Sequence, residues 1–197
     1  YGYPGANYTV ARVKKDIFNQ SYLGFILTNK YDETGHDNSV YGVDWGLKTD
    51  RFLGDKNLDI QGYLCGSMTD GRNDRNNAGR IYISYPNDFI DSFILYHALD
   101  EQFNPELGFA RRVGIENYIW YTTISPRPDI PYIKKLVFKP CNMNYTTDMK
   151  GKLISRTVEI RPFGFVSDAG DEFYFSYRNE YDYVEKEFVK FDKLVFK

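Results

Sequence analysis

The sequence predicts an all-β fold, an antiparallel up-and-down meander that forms all or part of a transmembrane β-barrel. Two patterns support this prediction: short segments in which apolar and polar residues alternate, and connectors that switch between compact and long. A transmembrane barrel has tight turns at one membrane face and longer loops at the other. A soluble β-sandwich or barrel also has many regularly spaced strands, so connector length is the feature that favours the membrane fold.

Strand-like segments follow one another along the chain. The most regular is residues 40–48, where Tyr41, Val43, Trp45 and Leu47 alternate with Gly42, Asp44, Gly46 and Lys48. In chain order we predict strands at residues 9–15, 22–29, 40–48, 57–67, 81–85, 89–99, 115–124, 133–141, 153–165, 172–178 and 188–196. Arg156 interrupts the apolar row of its segment. If lipid covers the row that contains Val43, then Asp44 and Lys48 face the lumen.

The connectors divide into two groups. Compact ones are predicted at residues 16–20, 50–56, 86–88, 126–131 and 167–171, and longer polar ones at residues 31–38, 69–78, 100–112 and 142–150. Asp168 and Asp171 flank Gly170 and are typical of a hairpin turn. Antiparallel neighbours joined in this way give a meander with two unlike rims.

The composition is that of one ordered domain, which we assign to residues 1–197. Apolar residues make up 42% of the 197, and the longest apolar runs, such as residues 23–27, are far too short for a membrane helix. A net charge of −2 gives no general attraction to nucleic acid. The aromatic content of 18% suits both membrane interfaces and sugar-binding surfaces. No signal peptide is visible at Tyr1, so we expect that it was removed or that the chain begins inside a larger protein.

The most distinctive local sequence is residues 103–112, which reads FNPELGFARR. Arg111 and Arg112 are suited to binding carboxylate or phosphate groups. Together with the acids Asp44 and Glu106 they are the candidate ligand-binding residues. The alternative is a folded loop in which Glu106 pairs internally with an arginine.

Signs of catalysis are weak. Paired carboxylates for glycoside hydrolysis can be drawn from Asp44, Glu106, Asp168, Asp171 and Glu172, but that chemistry depends on a separation that sequence does not give. Neither His36 nor His97 has a nucleophile signature nearby. Cys65 and Cys141 lack metal-ligand spacing, and we expect them to be unpaired. We therefore expect no catalytic residue, no metal and no cofactor.

Six stretches of the chain form one set: residues 7–13, 24, 28–30, 41–44, 103–112 and 125–128. Together they resemble a family of bacterial proteins common in Bacteroidota, with a C-terminal β-barrel domain of unknown function that often follows a family-nine carbohydrate-binding-like domain, which implies that the chain is one such barrel domain or a fragment of one. Lys30 stands where an arginine is usual. The resemblance implies an outer-membrane location, contact with lipid, and handling of glycans or other envelope components.

Three functional hypotheses follow. The first is an outer-membrane barrel, or a fragment of one, that acts as an envelope scaffold or conduit without catalytic chemistry. The second is a soluble extracellular carbohydrate-binding β-sandwich or barrel module that uses exposed Tyr and Trp. A glycan-cleaving enzyme is the third, and it ranks last.

Overall fold

The fold is built from antiparallel strands. A computed structural model describes residues 5–71, 76–184 and 187–196, of which strands form the great majority and in which no helix occurs. Twelve strands lie in these residues: β1 (Ala6–Ile17), β2 (Ser21–Asp32), β3 (Asn38–Phe52), β4 (Lys56–Thr69), β5 (Asn77–Pro86), β6 (Ile90–Leu99), β7 (Ile115–Ile124), β8 (Ile133–Leu136), β9 (Phe138–Asp148), β10 (Leu153–Ser167), β11 (Glu172–Val184) and β12 (Glu187–Phe196). The predicted all-β, antiparallel up-and-down meander is confirmed. Within the described chain, no helix is long and apolar enough to cross a membrane.

The strands form one sheet in chain order. Its path runs β1-β2-β3-β4-β5-β6-β7-β9-β10-β11-β12, and the short β8 pairs with β10 beside β9. The sheet is not closed, so β1 and β12 are its edges in the described residues. Because β8 lies off this path, the path consists of eleven of the twelve strands. Since every neighbour on the path is antiparallel, β1 and β12 run in the same direction.

The strand register separates the side chains onto two unlike faces. Phe25 pairs with Val43 and Val43 with Leu64, so their side chains share one side of the sheet. This apolar face carries the exposed side chains of Val13, Leu23, Phe25, Tyr41, Val43, Leu47, Leu64, Ile81, Ile94, Trp120, Ile160 and Phe173. The opposite, polar face carries Arg12, Asp44, Lys48, Asp59, Tyr63, Arg80, His97, Asn117, Glu159 and Arg178.

Buried apolar packing is confined to a small region. In the described residues the buried hydrophobic side chains are Val40, Ala78, Leu99, Phe103 and Val137. Ala78, Leu99 and Phe103 form one cluster, to which the connector between β6 and β7 contributes Phe103. The largest fully buried side chains are polar, Asn38 and Ser67. The side chains of Val40, Ala78 and Leu99 share the polar face with Asn38 and Ser67, so much of the burial in this sheet is on the polar face.

The predicted alternation of connector length holds only in part. Turns at residues 18–20, 53–55 and 87–89 are each shorter than the following connectors at 33–37, 70–76 and 100–114, although 72–75 lie outside the described residues. The order reverses further on, where the connector at 125–132 is longer than that at 149–152.

The prediction of a long loop at residues 142–150 is wrong, because most of this segment belongs to β9. Its polar residues lie on the polar face of a strand: Asn117 Nδ2 donates to Asn144 Oδ1 at 2.7 Å and to Thr146 Oγ1 at 2.8 Å. The predicted single strand at residues 133–141 is also wrong. It is interrupted at Val137, whose N–H donates to the carbonyl oxygen of Gly164 at 2.7 Å.

Candidate functional site

The connector at residues 100–114, which we call the inner loop, folds onto the polar face. Phe103 is 7% exposed and packs against Ala78 and Leu99, whose side chains project from the polar face of β5 and β6. Gly114 closes the loop with φ of 70°, a conformation that favours glycine, and its N–H donates to Leu99 O at 2.8 Å. The distinctive sequence at 103–112 therefore lies against the sheet.

Asn38 anchors the inner loop. Its Nδ2 donates to the carbonyl oxygen of Asn104 at 2.7 Å and to Thr69 Oγ1 at 2.8 Å. Its Oδ1 accepts from the backbone N–H of Glu106 at 3.3 Å, and Ser67 Oγ accepts from the N–H of Asn104 at 3.0 Å. Because Asn38 and Ser67 are both 1% exposed, these bonds satisfy polar groups that water does not reach.

Glu106 forms an ion pair within the protein. One alternative drawn from the sequence was such a pair with an arginine, but the partner is a lysine. Lys30 Nζ lies 2.8 Å from Glu106 Oε2. Asn104 Nδ2 donates to the other carboxylate oxygen at 3.1 Å. Both oxygens of Glu106 are therefore engaged, and the expected arginine partner is wrong.

Asp44 lies on the polar face and also has a cationic partner. Arg12 Nη2 lies 2.8 Å from one carboxylate oxygen and 3.0 Å from the other. Gly24 faces Asp44 in the register, and a Cβ at that position would lie 2.5 Å from Asp44 Oδ1. The glycine therefore makes room for this ion pair. Asp44 and Glu106 are held by different cations and do not form a shared acid pair.

The two arginines of the inner loop stand apart from these ion pairs. Arg111 and Arg112 are exposed and line a cavity of about 710 Å³ between the inner loop and the polar face. Tyr63, His97, Asn117 and Asp182 line the same cavity from β4, β6, β7 and β11. Among the side chains that the structure describes, neither arginine has an ion-pair partner.

The polar groups on the floor of this cavity bond to one another. Tyr63 Oη and His97 Nε2 are 2.7 Å apart, and their rings meet edge to face. Asn117 is held by the two β9 side chains already described. Among the described side chains, the charged lining groups without an ion-pair partner are therefore the two guanidinium groups and the carboxylate of Asp182.

The remaining sequence candidates lie elsewhere. Asp168 and Asp171 occupy a hairpin turn with Gly170 at φ of 93°, at the rim opposite the inner loop. Cys65 and Cys141 are both free cysteines. Within the described residues, no group of three or more His, Cys, Asp or Glu side chains is placed to hold a metal ion.

Sequence reasoning singled out the inner loop but missed the residues that hold it. Asn38 and Ser67 are ordinary strand residues in the sequence, and nothing in their local context predicts a tertiary role. Lys30 was noted only through the family resemblance. An alignment showing that positions 30 and 106 vary together is the signal that would reveal this contact.

The fold defines the protein as an antiparallel meander with one apolar and one polar face, and with a loop folded onto the polar face. Comparison with protein-family models, curated proteins and solved structures found no match to this chain.

Proposed function

We propose that the chain is an outer-membrane β-barrel protein, or part of one, that acts as an envelope scaffold or conduit without catalytic chemistry of its own. The observation that carries this proposal is the exposure of the apolar face. Leu23 is 52% exposed, Leu64 59% and Ile94 54%, on three different strands. A soluble protein rarely leaves so extended an apolar surface in water, whereas the outward band of a membrane barrel requires it.

The polar face supports the same proposal. Arg12 pairs with Asp44, and Lys48 Nζ lies 3.0 Å from an oxygen of Asp59. Membrane barrels line the lumen with polar and charged side chains and turn the alternate residues to lipid. In this proposal the polar face borders the lumen.

Packing within the apolar face is a third support. A Cβ at Gly62 would lie 2.4 Å from Cζ2 of Trp45, and one at Gly79 would lie 2.8 Å from Cδ2 of Leu64. The large side chains thus lie over glycines of the neighbouring strand, an arrangement that protects exposed glycines in sheets. Trp45 and Leu64 find contacts within their own sheet, without a second layer in the described part of the chain.

The open edges favour a barrel that extends beyond the described residues. Unpaired backbone groups are too costly in hydrocarbon, so a barrel must close. Because β1 and β12 run in the same direction, antiparallel closure needs an odd number of further strands. We therefore assign the described sheet to part of a larger barrel.

The inner loop gives the lumen a constriction. It is fixed by buried hydrogen bonds at Asn38 and Ser67 and by the ion pair between Lys30 and Glu106. A loop held in this way narrows the space beside the polar face. From the family resemblance we propose that glycans or other envelope components are the solutes that pass or bind beside this loop.

Detergent dependence of solubility tests the proposal directly. We expect the purified chain to aggregate in buffer and to become monodisperse in detergent micelles, where size-exclusion chromatography with light scattering gives its state. Monomeric protein in detergent-free buffer would overturn the proposal. That result would favour the soluble carbohydrate-binding module.

A further inference from the structure

We propose that the cavity between the inner loop and the polar face binds an organic anion through Arg111 and Arg112. This inference deepens the proposed function, since it names the class of solute that the lumen would select. It rests on the charges that line the cavity, on its size and on the chemistry of its walls.

The charge balance of the cavity is positive. None of the inner loop's acids, Asp100, Glu101 and Glu106, lines the cavity, and Glu106 is neutralised by Lys30. Among the described lining residues Asp182 is the one carboxylate, whereas two lining residues carry guanidinium groups. His97 is hydrogen-bonded to Tyr63 and contributes no negative charge to the cavity. An incoming anion therefore meets one uncompensated positive charge.

The cavity has the dimensions of a ligand site. Its volume of about 710 Å³ lies within the range of pockets that hold small organic molecules. Phe103, Phe109 and Ala110 supply apolar contact on the loop side, while Asn117 and Thr146 supply polar contact on the sheet side. A solute with both an apolar surface and hydroxyl groups fits these walls.

Arg111 and Arg112 are suited to binding an anion because neither has an ion-pair partner among the described side chains. Guanidinium groups bind carboxylate, sulfate and phosphate through paired N–H donors, and such charge-assisted bonds are stronger than neutral ones. Arg111 and Arg112 are exposed, so replacing them leaves the buried anchors of the inner loop intact. Their variants are therefore expected to fold.

Equilibrium dialysis with two matched chromogenic probes tests the inference. The probes are 4-nitrophenyl β-D-glucuronide and 4-nitrophenyl β-D-glucoside, which differ in a carboxylate and a hydroxymethyl group. We expect the wild-type chain to bind the glucuronide roughly tenfold or more tightly, in line with the strength of hydrogen bonds to charged groups. Replacement of both arginines, Arg111→Gln with Arg112→Gln, should remove that preference. The control Arg51→Gln removes one positive charge in the same way, but at the opposite rim, and should leave the preference for the glucuronide intact.

The outcomes separate this inference from the proposed function. Binding is measured in micelles, or in plain buffer if the chain proves soluble, so membrane insertion is not needed. Equal binding of the two probes by wild type, or a preference that survives in the double variant, would overturn the anion site. Circular dichroism of the double variant confirms that it is folded before its binding is compared.

Discussion

Replacing Val43 with arginine tests whether the apolar face contacts hydrocarbon. Val43 lies within β3, is 41% exposed, and is flanked in register by Phe25 and Leu64. Both neighbours are themselves exposed apolar residues. An arginine at this position therefore enters the middle of the apolar face.

The expected cost depends sharply on what covers that face. At the midplane of a membrane barrel a lipid-facing arginine costs about 2–4 kcal/mol. On a sheet surrounded by water, a substitution at a partly exposed position usually changes stability by less than about 0.5 kcal/mol. The two environments thus predict effects that are several-fold different. We expect the larger one.

Urea unfolding of the chain in phospholipid vesicles, followed by tryptophan fluorescence, measures this cost. The matched control is Gln61→Arg, because Gln61 lies on the polar face and its Nε2 donates to Asp59 at 2.7 Å. An arginine there can keep a bond to that carboxylate, so we expect little loss. Equal stability of Val43→Arg and wild type would refute the assignment of the apolar face to lipid.

Three further variants test the packing of the sheet and its loops. Asn38→Ala removes buried hydrogen bonds to the inner loop; we expect a loss of about 1–3 kcal/mol and faster tryptic cleavage within that loop. Gly62→Ala places a Cβ 2.4 Å from a Trp45 ring carbon and 2.7 Å from a backbone oxygen; we expect a cost of about 1–3 kcal/mol and a changed near-ultraviolet circular dichroism spectrum. Asp88 lies 2.6 Å from Arg127, and the hydrogen bond lowers the pKa of its carboxyl. That pair contributes above the pKa of the unfolded chain and is lost as pH falls through the lower folded pKa. The Tm of Asp88→Asn should therefore lie below wild type at about pH 7, and the difference should shrink as the pH falls through the lowered pKa of Asp88.

Each of these expectations has a clear contrary result. Unchanged protease resistance in Asn38→Ala would mean that other contacts hold the inner loop. An unaltered aromatic spectrum in Gly62→Ala would mean that the Trp45 ring does not rest on this glycine. A Tm difference for Asp88→Asn that persists in acid would assign its effect to something other than the ion pair with Arg127.

Strand positions were predictable because the signal for them is local. The alternation around Val43 places β3 and its two faces, and the segment at residues 115–124 matches β7 at both ends. Several other strands extend beyond the predicted limits, since polar residues such as Lys30 and Asn144 belong to strands when their side chains face the polar side. Hydropathy alone assigned these residues to loops. The same ambiguity produced the wrong connector at residues 142–150.

The candidate site was predictable only in its outline. The residues of the inner loop stood out because FNPELGFARR combines a stiff proline, a glycine and two adjacent arginines. The sequence grouped Asp44, Glu106, Arg111 and Arg112 as one candidate set. The structure separates them into two closed ion pairs and one open arginine pair. Ion pairing depends on which strands become neighbours, and that is a long-range property.

The sequence by itself determined the strands and the division of their side chains into an apolar and a polar face, because both follow from a two-residue repeat within each segment. The tertiary structure decided where the inner loop lies and which carboxylates are neutralised. It also decided that the described sheet has two edges of the same direction. These features arise from contacts between residues far apart in the chain, such as Asn38 with Asn104 and Lys30 with Glu106. No local pattern specifies them, since they depend on which strands become neighbours and in which register they pair.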